Sequence, residues 1–169
     1  YKYSHRVWEL IMATAFSNYE KELIIKKLSD VAQTCLLKYG VKKTTVNQIV
    51  QMTGISKGSF YSFYSGKEIL FFKVIEDYQK FIIDDLTEKL SNESDIGVDK
   101  FTEVVYELYR NVKRSFIMNI IKNREMEYLM RKLPKEIIIN HHSLDDILTQ
   151  KLFSRIKIND EINIDAVSA

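Results

Sequence analysis

The stretch TTVNQIVQMTGISKGSFYSFYSGKEIL, residues 44–70, constrains the fold more than any other part of the chain. It reads as a short helix, a glycine turn, a second short helix and the start of a third. Thr44 and Thr45 offer hydroxyls to cap the first helix, because a side-chain oxygen there accepts an otherwise orphan backbone N–H. Val46, Ile49, Val50 and Thr53 recur at i, i+3, i+4 and i+7 and give that helix an inner face. Gly54 ends it, as expected where a left-handed residue is needed. Ile55 plugs the turn and Ser56 caps the next helix, which carries Lys57, Ser59, Tyr61 and Ser62 outward. A helix-turn-helix of this kind lets its second helix enter a DNA major groove while the first crosses the backbone. The same spacing also makes an ordinary corner of a helical bundle, so geometry alone leaves both readings open.

The rest of the chain favours helices throughout. It has one proline and five glycines in 169 residues, too few for a turn-rich β fold. Apolar residues make up 46% and charged residues 28%, ordinary for a folded domain and unlike a disordered chain. Charge is unevenly placed. Residues 20–70 hold eight lysines and four acids, whereas residues 71–169 hold fifteen basic and eighteen acidic side chains. A basic head on an acidic body fits a DNA reader joined to a part with another task. The single cysteine, Cys35, excludes an internal disulfide and a cysteine-built zinc site, and its place between Val31 and Leu36 suits a small buried hydrophobe. A reducing cytoplasm is compatible with this. No apolar run approaches the roughly 18–20 residues that span a bilayer.

Three regions are expected. Residues 1–19 form an N-terminal extension, in which Trp8, Ile11, Met12, Ala15, Phe16 and Tyr19 make the apolar stripe of an amphipathic helix. Residues 20–66 form the head, with the helix-turn-helix at about 44–63. Its first helix runs from about Glu20 to Tyr39, buries Leu28, Val31, Ala32, Cys35, Leu36 and Tyr39, and is ended by Gly40. Residues 67–169 form a helical body. A long helix from Lys67 to Leu90 buries Leu70, Phe71, Val74, Ile75, Tyr78, Phe81, Ile82 and Leu86. A second, from about Asp99 to Asn123, buries Phe101, Val104, Val105, Leu108, Val112, Phe116 and Ile120. Arg124 to Lys132 is short and helical, Pro134 marks a boundary, a helix starts near Lys135, and residues 143–157 are amphipathic.

The central stretch resembles the DNA-binding signature of the TetR family of transcriptional regulators. The matching residues are Thr45, Ile49, Gly54, Ile55, Ser56, Gly58, Phe60, Tyr61, Phe63, Tyr64, Lys67, Glu68 and Leu70. Residues 24–40 resemble the family's first helix, which closes on an aromatic residue and glycine. Val50 and Thr53 stand where alanines are usual, Tyr64 where phenylalanine is, and Gly66 where a small polar residue is. The resemblance implies an all-α protein: an N-terminal three-helix DNA-binding domain followed by an α-helical ligand-binding and dimerisation domain. It also implies double-stranded, palindromic operator DNA, a homodimer and a cytoplasmic location. The chain stops about where the first of the family's two C-terminal dimerisation helices would begin, which implies that part of that bundle is omitted.

By that resemblance Thr45, Asn47, Lys57, Gly58, Ser59, Tyr61, Ser62, Phe63 and Lys67 hold DNA. Lys57, Gly58 and Ser59 open the recognition helix near base edges or phosphates. Tyr61 and Lys67 act as phosphate clamps, Thr45 combines a cap with a phosphate contact, and Asn47 projects from the first helix of the motif. Phe63 either meets a thymine methyl or packs; Phe60 and Tyr64 belong to the core. Lys42 and Lys43 lie close enough to approach phosphates, or stand in a solvated loop.

In the body, Tyr106, Tyr109, Phe116, Met126, Tyr128 and Met130 are the candidate lining of a pocket for a small hydrophobic or amphipathic effector, although aromatics at helical spacing also serve as core. His141 and His142 precede Asp145 and Asp146 by four residues, but a metal site needs further ligands that the chain does not supply by spacing. No metal and no cofactor are expected. Nucleophile-elbow, P-loop and dinucleotide patterns are absent. The reading is therefore a ligand-responsive DNA-binding repressor rather than an enzyme. The alternative is a helical interaction protein that keeps the helix-turn-helix fold without binding an operator.

Overall fold

The computed structural model describes residues 16–91 and 98–139, all helix, turn or connecting loop, with no strand among them. Among the described residues the helices run in the order α1 (Asn18–Lys38), α2 (Gly40–Lys43, a single turn), α3 (Val46–Thr53), α4 (Lys57–Phe63), α5 (Lys67–Ser91), α6 (Val98–Arg114), α7 (Phe116–Lys122) and α8 (Met126–Lys132). Residues 135–139 are also helical. Of the extension expected over residues 1–19, residues 1–15 lie outside the described residues while Asn18 and Tyr19 belong to α1; the amphipathic segment 143–157 and the His141, His142, Asp145 and Asp146 group also lie outside the described residues.

The chain divides into two compact units. One comprises Tyr1–Val74 and Asn119–Lys132, the other Ile75–Met118 and Leu133–Ala169. The first unit thus takes in a later segment that periodicity assigns to the body. Its helices start where local chemistry starts them. Ser17 caps α1 in a reciprocal box with Glu20, and the Ser17 amide and hydroxyl hold that carboxyl below the usual range. Leu28, Ala32, Cys35 and Leu36 form the buried inner stripe of α1, and Ile49, Phe60, Leu70 and Phe71 are also fully buried. Cys35 sits in this core with its Sγ 3.7 Å from Met52 Sδ, and burial pushes its thiol pKa up against the opposing pull of Lys38. Tyr39, expected inside, is exposed, because α1 ends at Lys38 and the chain turns away there.

In the second unit Val104, Phe116, Leu90 and Leu133 are buried, and the ring of Phe116 meets that of Tyr78 edge-on at 5.2 Å. Lys89 bridges Asp85 on its own helix, at 2.9 Å, and Glu107 on α6, at 3.0 Å; these two carboxylates raise its pKa. The single helix expected over residues 99–123 is broken. The Ser115 amide and hydroxyl both turn back to Val112 O, and the same hydroxyl accepts from Ile117 N, so α6 stops and α7 starts afresh. Phe81 and Val105, expected inward, both face solvent.

Candidate nucleic-acid interface

The helix-turn-helix is held by short-range bonds that the local residues dictate. Thr45 caps α3: its hydroxyl accepts from Gln48 N at 3.2 Å while Gln48 Oε1 accepts from Thr45 N at 2.8 Å. Thr44 does not share the capping. Its hydroxyl points inward and donates to Gly40 O at 2.7 Å. Gly54 closes α3 with φ +71°, and its amide donates to Val50 O. Ser56 caps α4 by accepting from Ser59 N at 2.9 Å. Thr53 is buried and satisfied by donating to Ile49 O at 2.8 Å, which is how a threonine replaces an alanine at this place.

A helix of seven residues is unstable alone, so α4 depends on its anchor. Phe60 is fully buried, with Tyr61 edge-on at 5.3 Å and Tyr64 at 6.3 Å between ring centroids. The outward side is left open. Thr45, Asn47, Lys57, Gly58, Tyr61 and Ser62 are exposed, and Ser59 and Phe63 are half-buried. A Cβ at Gly58 would meet nothing nearer than Ser56 Oγ at 3.7 Å, so no neighbour inside the protein demands a glycine there. The hydroxyls of Ser59 and Ser62 already have internal partners, Ser56 Oγ and Ser59 O respectively. Phe63 packs its ring 6.3 Å from Phe16. Packing thus occupies one side of this ring, whichever surface the other side meets.

Lys67 takes a position different from that of a free phosphate clamp. Its Nζ donates to Thr44 O at 2.6 Å and Val41 O at 2.8 Å, with Lys42 O at 3.5 Å and Glu68 4.0 Å away. The ammonium therefore ties the turn before α3 to the start of α5. On the same turn Lys42 stays exposed, its Nζ 5.4 Å from the centre of the Tyr128 ring, which Lys132 also approaches at 5.9 Å.

Two residues that sequence reasoning missed complete the support. Asn119 Nδ2 donates to Leu36 O at 2.8 Å and Leu37 O at 3.1 Å, satisfying carbonyls at the end of α1. Glu125 accepts from Val41 N at 2.6 Å and Lys42 N at 3.2 Å and is itself buried. No local pattern marks either one, since their partners lie 82–84 positions away.

The six candidate effector residues are not brought into one cavity. Tyr106 and Tyr109 line an open groove along α6 with Phe101, Thr102 and Val105, of about 430 Å³. Phe116 is buried against Tyr78, and Met126, Tyr128 and Met130 belong to the other unit. Among the described residues no cluster of three or more His, Cys, Asp or Glu could hold a metal, and no helix is long and apolar enough to cross a membrane.

Residues 28–74 match the family model described as bacterial regulatory proteins, tetR family. No curated protein and no solved structure matches the chain. The matched residues run from the buried Leu28 of α1, through both helices of the motif, into the first turns of α5. They are the ones whose caps, core and open face have just been described, and the match marks residues 28–74 as a helix-turn-helix domain of the kind found in bacterial regulatory proteins of the tetR family.

Proposed function

We propose that this regulator is a repressor that two copies of the chain place on a palindromic operator and that a small hydrophobic or amphipathic effector releases. One observation carries the DNA-facing part: a capped, core-anchored α4 whose outward side is left unpacked from Lys57 to Ser62. Lys57 and Asn47 offer unencumbered polar ends, Gly58 allows close backbone approach, and the Tyr61 phenol can donate to a phosphate. Thr45, Ser59, Ser62 and Phe63 contribute from the flanks of that face, and Lys67 contributes by holding the turn that leads into α3. Two heads are needed because a half-site recurs about one helical turn away, roughly 34–36 Å. The effector part rests on the exposed apolar strip of α6, where Phe101, Val105, Tyr106 and Tyr109 stand together. A ligand releases DNA only by its differential affinity for the two states.

The test uses a short duplex selected by the protein itself from a random-sequence pool. Its Kd should rise steeply between 50 and 200 mM salt, with a log–log slope near 0.9 per phosphate neutralised. Lys57→Ala should weaken binding and lower that slope by about one if Lys57 meets a phosphate. Failure to select any duplex, or affinity indifferent to salt, would instead favour an interaction protein that keeps the fold without reading DNA.

A further inference from the structure

The turn at residues 40–44 lies directly before α3, and its position decides where the Thr45 cap and the exposed Lys42 and Lys43 stand. It is gripped from two sides by residues far apart in sequence. Lys67 takes its carbonyls, at Val41 and Thr44. Glu125 takes its amides, at Val41 and Lys42. Gly40 lets the carboxylate in: its φ is +76°, and a Cβ there would overlap Glu125 Oε2.

Glu125 is aimed by its own backbone. Helix α7 ends with Arg124 N donating to Ile121 O and Glu125 N donating to Ile120 O, both at 3.0 Å, and this closure requires a left-handed residue. Arg124 fills that role at φ +52°, the one non-glycine residue with positive φ among those described. Such a conformation is strained in a residue with a Cβ, and it persists where the surroundings hold it. It brings the Glu125 side chain to the turn, while Asn119, six residues earlier in the chain, secures the end of α1.

We propose that Glu125 is a positioning residue for DNA binding: its carboxylate holds the 40–44 turn, and with it the phosphate-facing end of α3, without touching DNA. The inference rests on the DNA-binding reading above. It separates two jobs that one affinity measurement would merge, contact and placement. A contact residue loses affinity while the turn stays protected; a placement residue loses protection at the turn together with affinity. Hydrogen bonds to a charged group contribute enough that their loss should weaken binding by roughly tenfold to a hundredfold.

The experiment compares the full chain with Glu125→Ala, Glu125→Gln and Lys57→Ala on one duplex selected by the unsubstituted protein from a random-sequence pool. Active fraction comes from stoichiometric titration, and amide hydrogen exchange is read at residues 41, 42 and 46–63. Glu125→Ala should keep its active fraction, bind roughly ten- to a hundredfold more weakly, and lose protection at 41 and 42 while α3 and α4 stay protected. Glu125→Gln, which keeps one acceptor oxygen, should recover part of the affinity. Lys57→Ala should show the converse, full protection at 41 and 42 with a lower slope. Unchanged affinity in Glu125→Ala despite lost protection would overturn the proposal, as would a weakening explained wholly by a smaller active fraction. If the unsubstituted protein selects no duplex, the DNA-binding reading itself fails, and unchanged exchange at 41 and 42 in Glu125→Ala would refute the anchoring independently.

Discussion

Phe60→Ala should cost about 3–5 kcal/mol of stability, the range for removing a fully buried aromatic ring. Folded domains of ordinary size have about 5–15 kcal/mol in total. The ring is inaccessible to solvent and contacts both Tyr61 and Tyr64. It is also the main anchor of α4, whose seven residues have too few internal hydrogen bonds to persist alone. Urea denaturation followed by far-ultraviolet circular dichroism measures the loss. In thermal unfolding it should appear as a midpoint lowered by roughly 6–20 °C. Phe81→Ala is the matched control, because Phe81 faces solvent and its removal should stay within about 0.5 kcal/mol. If Phe60→Ala and Phe81→Ala unfold together, the core assignment of the head is wrong.

The second large effect concerns two glycines with opposite expectations. Gly40→Ala should destabilise by about 2–5 kcal/mol. Part comes from forcing a Cβ into left-handed backbone at φ +76°, about 1–2 kcal/mol. The rest comes from displacing the Glu125 carboxylate and leaving the Val41 and Lys42 amides without their acceptor, about 1–3 kcal/mol. Gly58→Ala should do the reverse. Gly58 lies within α4, where a Cβ would meet only Ser56 Oγ at an ordinary 3.7 Å, so alanine should stabilise the helix by up to about 1 kcal/mol. If the backbone at Gly58 approaches DNA, the same methyl should weaken binding. Unfolding curves for both variants, and a DNA titration for Gly58→Ala, separate the two roles. A Gly40→Ala protein as stable as the original would mean that the turn is not built around Glu125.

These expectations divide according to how far each residue's partners lie along the chain. The caps of α3 and α4 close within three residues, Thr45 with Gln48 and Ser56 with Ser59, and Gly54 marks its own turn. Most of that is legible from sequence, as is the buried stripe of α1 apart from Tyr39, although sequence does not separate the capping Thr45 from the inward-turned Thr44. The break at Ser115 was not, because a serine within an amphipathic pattern does not announce whether its hydroxyl will turn back on Val112. Inward placement of Phe81 and Val105 failed for a related reason: the width of a buried stripe depends on which neighbours cover it, and helical spacing carries no record of neighbours. Lys67 and Glu125 are the sharpest cases. The family resemblance points Lys67 toward phosphate, whereas its Nζ bonds to carbonyls more than twenty residues away. Glu125 looks like one more surface acid until residues 41 and 42 are folded onto it. The effector lining was illegible because aromatic and methionine side chains serve a core and a pocket equally well.

The central claim is that the face from Thr45 to Phe63 holds DNA, and three exposed tyrosines make it directly testable. Tyr61 is 51% exposed on α4, while Tyr109 at 55% and Tyr106 at 64% stand on α6. Hydroxyl-radical footprinting with mass-spectrometric readout should label all three at comparable rates in the free protein. Adding the selected duplex should shield Tyr61 several-fold and leave Tyr106 and Tyr109 as reactive as before. Shielding of Tyr106 and Tyr109 with Tyr61 untouched would contradict the account and move the DNA-binding surface away from the helix-turn-helix.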